Sequence, residues 1–183
     1  MKISFKSLIY SCLLALLSIS VFSQNVLKKV KVVGNQFMAE DGKKVVFRGL
    51  NLADPDKLFQ SGHWRKDFFE EANKWGANIL RFPVHPAAWR KQGKADYLKL
   101  LDEGVKWATD LCMYVIIDWH SIGNLRTEMY QAEMYETTQK ETFEFWRTTA
   151  KHFKGNNTVA FFELFNEPTT GSWVLVPGLN GQH

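Results

Sequence analysis

Between residues 44 and 168 the chain alternates four short apolar runs with three amphipathic stretches of helical period. That rhythm restricts it to folds in which parallel strands are joined by helices. The apolar runs are "KVVFRGLNL", "NILRFPV", "MYVIIDWH" and "VAFFELFNEP". Between them, "RKDFFEEANKWGA" places Phe68, Ala72 and Trp75 on one helical face. In the same way "DYLKLLDEGVKWATDLC" aligns Leu98, Leu101, Val105, Ala108 and Cys112, and "KETFEFWRTTAKHF" aligns Phe143, Trp146, Ala150 and Phe153. Upstream, "VLKKVKVVG" and "NQFMAE", with the Asp-Gly of "EDGKK", predict a short antiparallel hairpin leading into the first of these strands. Two architectures share the pattern, an open doubly wound sheet and a (β/α)8 barrel. The first strand ends "RGLNLADP" rather than in a glycine-rich phosphate turn, which favours the barrel. The fold class expected is α/β, a (β/α)8 TIM barrel of which the chain holds the first four strands behind an N-terminal β-hairpin.

The first 23 residues read differently. Lys2 and Lys6 precede the largely apolar stretch Leu8 to Phe22, which ends in Val21-Phe22-Ser23 ahead of Gln24, the pattern of a secretory signal peptide with a small-residue cleavage site. The apolar stretch is short for a membrane-spanning helix of about 20 residues. Residues 1–23 are therefore expected to be a signal peptide and 24–183 the barrel domain, giving a secreted protein, extracellular or periplasmic, without a stable membrane anchor. Removing the leader leaves 21 basic and 19 acidic residues, a balance that does not call for nucleic acid. Cys112 is then the single cysteine, so no internal disulfide can form, and it is expected to be buried packing.

A barrel makes a demand on polar residues, because its catalytic groups sit at the C-terminal ends of the strands. The four strand ends carry Asn51, Arg81, His120 and the pair Asn166 and Glu167. Asn51 is open to either a turn role or contact with substrate. Arg81 stands within an apolar run, where an unpaired charge is costly, and is expected to meet a carboxylate. His120 reads equally as a satisfied rim histidine or a functional one, whereas His63, His85 and His152 are expected to be incidental. Glu163, four residues before Glu167 on the same strand face, is expected to point into the barrel and to pair with Arg48. Trp64, Trp89, Trp119 and Trp173 offer flat faces for sugar rings, Trp119 foremost because it adjoins His120. Pro168 cannot donate a ladder hydrogen bond, so strand pairing is expected to stop at Glu167 and turn its side chain to the cleft.

In this order, and each closing a strand, "RGLNL", "LRFPV", "IIDWH" and "LFNEP" resemble the glycoside hydrolases of clan A, most closely family 5, the cellulase-type family. The resemblance spans roughly residues 30 to 170. It implies a retaining β-glycosidase acting on β-linked polysaccharide or oligosaccharide, such as glucans or mannans, without a metal or organic cofactor. It assigns Glu167 as general acid/base, Asn166 to the sugar 2-hydroxyl beside the scissile bond, Arg81 to support of the nucleophilic carboxylate, and His120 to the sugar subsite at the cleavage point. The chemistry fits those residue types. Retention needs a proton donor for the leaving oxygen and a second carboxylate about 5 to 5.5 Å away as nucleophile.

The family's nucleophile is a Glu closing a seventh strand, and a complete barrel takes about 250 residues. The nucleophile is therefore unplaced in this chain, whose tail "GSWVLVPGLNGQH" does not resemble the next barrel helix. As written, the chain is expected to show little or no turnover, and its uncovered sheet edges predict non-specific self-association. Endo-β-1,4-glucanase is the specificity expected by resemblance, with β-mannanase next. A non-catalytic glycan-binding half barrel remains open. A metal-dependent hydrolase has little support, since the first strand lacks His-x-His and His120 has no evident histidine partner.

Overall fold

A computed structural model of the protein describes residues 27–169. The proposed leader, Trp173 and the tail after residue 169 lie outside the described residues. Among the described residues, ten strands and five α-helices follow in the order β1 (Val30–Val33), β2 (Gln36–Ala39), β3 (Lys44–Val45), β4 (Gly49–Asn51), α1 (Pro55–Gln60), α2 (Lys66–Lys74), β5 (Ile79–Val84), α3 (Pro86–Gln92), α4 (Lys94–Asp110), β6 (Tyr114–Trp119), β7 (Ile122–Asn124), β8 (Met129–Tyr130), α5 (Gln139–His152), β9 (Val159–Glu163) and β10 (Glu167–Pro168).

β4, β5, β6 and β9 form one all-parallel sheet in that order, so the four apolar runs become four adjacent barrel strands. Side chains alternate across the sheet. Leu80, Phe82, Val84, Val115, Ile117 and Trp119 face the helices and make the core with Phe69, Leu101, Val105, Ala108 and Phe145. Asn51, Arg81, Asp118 and Glu163 take the opposite face.

The N-terminal segment is a three-stranded antiparallel sheet, β1-β2-β3, rather than a single hairpin. Gly34, at φ 60°, turns β1 into β2, and the Asp41-Gly42 turn joins β2 to β3. Lys44 and Val45 thus belong to this sheet, and the first barrel strand is only Gly49–Asn51. Edge-to-face packing of Phe37, Phe47, Tyr114 and Phe161, with centroids 5.1 to 5.5 Å apart, seats the small sheet against the N-terminal end of the barrel strands.

Two helical faces are phased differently from the periodicity reading. In α2, Phe69 and Ala72 are buried while Phe68 and Trp75 are exposed, because the aromatic cluster of Trp64, Phe82 and Trp107 receives Phe69. In α5, Thr142, Phe145 and Thr149 are buried whereas Phe143 and Ala150 are exposed. Phe145 stacks on Trp119, and Thr142 Oγ1 accepts from Trp119 Nε1 at 3.1 Å, so the indole sets the rotation of the helix. Thr138 opens that helix as an N-cap, its hydroxyl accepting from Glu141 N at 3.1 Å. Cys112, expected in the core, is exposed: the backbone at φ 56° turns there from α4 toward β6 and swings the side chain outward.

Gly104 lets α4 lie directly on the core. A Cβ there would sit 2.5 Å from Trp64 Cζ2 and 2.9 Å from Phe82 Cε2, both ring atoms locked by their neighbours. Gly104→Ala is expected to lower the free energy of unfolding by about 1–3 kcal/mol through overpacking, read as a shift in the urea midpoint. An unchanged midpoint would show that the contact relaxes without cost.

Candidate active site

The C-terminal ends of the four barrel strands meet at one guanidinium. Arg81 Nε and Nη2 donate to Glu163 Oε2 and Oε1 at 2.7 and 2.9 Å, a bidentate pair. Nη1 donates to Asn51 Oδ1 at 2.8 Å, Nη2 donates to Asn166 Oδ1 at 2.7 Å, and Nη2 lies 2.9 Å from Asp118 Oδ2. One side chain on β5 therefore reaches β4, β6, β9 and the segment after β9. Burial works against the charge on Arg81. The hydrogen bond to Glu163 and the charges of Asp118, Glu163 and Glu167 outweigh it and hold the guanidinium pKa above its usual value. Glu163 is paired as expected, but with Arg81. No ion pair or hydrogen bond joins Arg48 to Glu163 among the described residues.

Asp118 is fully buried, and burial lifts its carboxyl above the ordinary carboxylate range despite the hydrogen bond from His120 and the charge of Arg81. His120 Nδ1 donates to Asp118 Oδ2 at 2.6 Å, and its backbone N–H donates to Val84 O at 2.9 Å. His120 is thus tied both to the end of β5 and, through Asp118, to Arg81.

Glu167 reaches the same face by a different route from the one its proline suggested. After Glu163 the chain leaves β6, and Glu167–Pro168 pair in parallel with Ile122 and Gly123 of β7. Asn166 N donates to Trp119 O at 3.2 Å and Glu167 N donates to Ser121 O at 3.1 Å. Pairing therefore resumes at Glu167 instead of stopping there. The Glu167 side chain is exposed. The Asn166 side-chain nitrogen is buried without a hydrogen-bond partner among the described residues, because Arg81 holds the amide by its oxygen and turns the nitrogen away.

Trp119 does not face this cluster. It is fully buried and stacked on Phe145 with centroids 4.2 Å apart. The parity of β6 explains it: with Asp118 pointing at Arg81, its neighbour must point at the helices. Trp64 and Trp89 are buried as well, the Trp64 indole N–H donating to Leu100 O at 3.2 Å.

Residues that the sequence reading set aside border the site. His85 directly follows β5; its ring meets that of His120 edge-to-face at 4.9 Å, and Tyr135 lies 5.6 Å from the one and 6.0 Å from the other. Buried Asp54 receives the His85 ring. The strand-end rule that singled out Arg81 and His120 applies equally to His85, so the signal was present.

This arrangement, polar side chains converging at the C-terminal ends of parallel barrel strands with an Asn-Glu pair after the fourth, defines a (β/α)-barrel enzyme site. Residues 38–180 match the cellulase family, glycosyl hydrolase family 5, and the chain belongs to it. It is 24% identical over 152 residues to endoglucanase A of Butyrivibrio fibrisolvens, with 76% of this chain and 32% of that protein covered. Over 148 residues it is 27% identical to an endoglucanase of a Bacillus strain, covering 78% of this chain and 15% of that protein. Among solved structures, the β-glucanase of Saccharophagus degradans in complex with cellotetraose is 51% identical and superposes with a TM-score of 0.78 over 79% of this chain and 44% of its own. The chain thus spans about a third or less of these endoglucanases and under half of the β-glucanase. The fold expectation holds, the sheet being part of a family 5 barrel.

Arg81→Leu would leave Asp118 and Glu163 without their cation. It is expected to cost roughly 3 kcal/mol at neutral pH, the low end for breaking a buried pair because Glu163 is partly exposed. Losing the guanidinium raises the folded-state pKa of Asp118 further above 3.8, its unperturbed value. A raised carboxyl contributes stability that is fully present below the unfolded value and lost as pH rises through the folded one. The deficit relative to wild type should therefore shrink as pH is lowered toward 4, as read by thermal melts across pH. A pH-independent deficit would contradict the pairing.

Proposed function

We propose that this chain supplies the acid/base half of a retaining β-glucan hydrolase, an endo-β-1,4-glucanase. Glu167 acts as general acid/base, Asn166 as donor to the sugar 2-hydroxyl, His120 as subsite wall, and Arg81 as the residue that orients the amide and supports the nucleophile. The observation that carries the reading is the unpartnered Asn166 nitrogen beside the exposed Glu167. Buried amide donors are normally satisfied, and this one, left without a partner on the residue before Glu167, suits a sugar hydroxyl next to its glycosidic oxygen. Family membership and the cellotetraose complex of the Saccharophagus degradans β-glucanase support a β-glucan chain as ligand. Asn51 belongs to the support of Arg81, to which its side-chain oxygen is committed.

The nucleophile in this reading is a carboxylate about 5 to 5.5 Å from Glu167, contributed by a later barrel strand. Secretion after removal of residues 1–23 belongs to the same proposal and rests on the leader pattern. So does self-association through the edges of β4 and β9 that are unpaired among the described residues, supported by the exposure of Leu50 and Leu164.

Turnover is tested by reducing-sugar release from a soluble β-1,4-glucan. The 183-residue chain alone is expected to release none. Fused after Thr169 to the remaining barrel of the Saccharophagus degradans β-glucanase, it is expected to become active, and Glu167→Gln in the fusion to lower kcat by about 10²–10⁴-fold. An active fusion indifferent to Glu167→Gln would remove Glu167 from the mechanism.

A further inference from the structure

His85 is built as a ligand-facing residue although no part of the proposed chemistry uses it. Asp54, buried at the start of α1, has both oxygens filled. Oδ1 accepts from Tyr97 OH at 2.8 Å and from Asp56 N at 2.7 Å. Oδ2 accepts from His85 N at 2.7 Å and from His85 Nδ1 at 2.8 Å. Tyr97 is itself fully buried, and burial first, then the charge of Asp54, holds its hydroxyl pKa well above the ordinary value, so it remains a donor. Four donors around one carboxylate fix the acceptor in place, and the acceptor fixes His85 Nδ1 as a donor, so in the neutral ring Nε2 carries the lone pair.

Among the described residues no hydrogen bond reaches His85 Nε2, although the side chain is only 12% exposed. Unlike the Asn166 nitrogen, His85 Nε2 is not a buried atom without a partner, so it is reachable from solvent and a ligand hydroxyl can take the place of water there. His120 is arranged in parallel, with Nδ1 given to Asp118 and no hydrogen bond to Nε2 among the described residues. Two carboxylate-anchored imidazoles thus stand edge-to-face at the ends of adjacent strands, and Tyr135 closes the third side.

We infer that His85, clamped by Asp54 beside His120 and Tyr135, binds a hydroxyl of the glucosyl unit neighbouring the one at His120, with Nε2 as acceptor. Asp54 is the positioning residue. A rigid acceptor at the cleft wall selects for a sugar hydroxyl oriented toward it, so the pair is a specificity determinant for the β-glucan chain. This rests on the function proposed above.

The test uses cellotetraose and the full 183-residue chain, with ¹⁵N-histidine spectra and titration calorimetry. His85 is expected as the Nδ1–H tautomer, and its Nε2 resonance to move on addition of cellotetraose. His85→Asn places its amide nitrogen near Nδ1 and keeps the bond to Asp54 while deleting Nε2. It is expected to retain the wild-type melting temperature and lose about tenfold in affinity, the size of one hydrogen bond. His85→Gln, which places a polar atom near Nε2, is expected to recover part of that loss. Wild-type binding with a still Nε2 resonance, or with affinity unaltered in His85→Asn, would overturn the role of His85 and leave the proposed function standing. No binding of cellotetraose by the wild-type chain would overturn that function, and this inference with it.

Discussion

The site depends on one charge placed inside a barrel. Arg81 projects from the middle of an apolar strand into the interior, where an isolated guanidinium is untenable, and every neighbouring strand answers it. Glu163 meets it with two parallel hydrogen bonds, Asp118 neutralises it further, and Asn51 and Asn166 present their side-chain oxygens. Because each partner comes from a different segment, the pairing registers the strand ends against one another. A lysine could not do this, since a single ammonium lacks the planar fork that serves several acceptors at fixed angles.

From that centre, orientation propagates outward. Asp118 fixes His120, and Asn166, gripped by its oxygen, leaves its buried nitrogen without a partner among the described residues. A second, independent anchor at Asp54 fixes His85 alongside. Both histidines lean on carboxylates that are buried and have little freedom to move, so their rings are set before any ligand arrives. Preorganisation of this kind is what a site needs when binding energy is to be expressed in orientation rather than consumed in ordering side chains.

The parallel sheet was legible because four apolar runs separated by helical periods admit few topologies, and the strand-end rule drew attention to Arg81, His120 and Asn166-Glu167 before any geometry was known. What stayed hidden was parity and phase. Trp119 sits next to His120 in sequence, but alternation sends it to the helix side, a conclusion available once Asp118 is recognised as the inward residue. Phe68 and Phe69, or the run Phe143 to Trp146, offer two competing helical faces, and tertiary packing around Trp64 and Trp119 chooses between them. His85 was passed over because its anchor, Asp54, is 31 residues away in sequence and the contact is purely tertiary. Similarly, nothing local marks Glu163 as the partner of Arg81, 82 residues earlier, in preference to Arg48.

In the proposed site Arg81 turns Asn166 so that its side-chain nitrogen meets a β-glucan. A crystal structure of the chain with cellotetraose tests it most directly. The expected complex has a glucosyl 2-hydroxyl within hydrogen-bond distance of Asn166 Nδ2, with the adjoining glycosidic oxygen facing the Glu167 carboxyl. Cellotetraose bound elsewhere, or bound in the cleft with Asn166 Nδ2 unengaged, would contradict it.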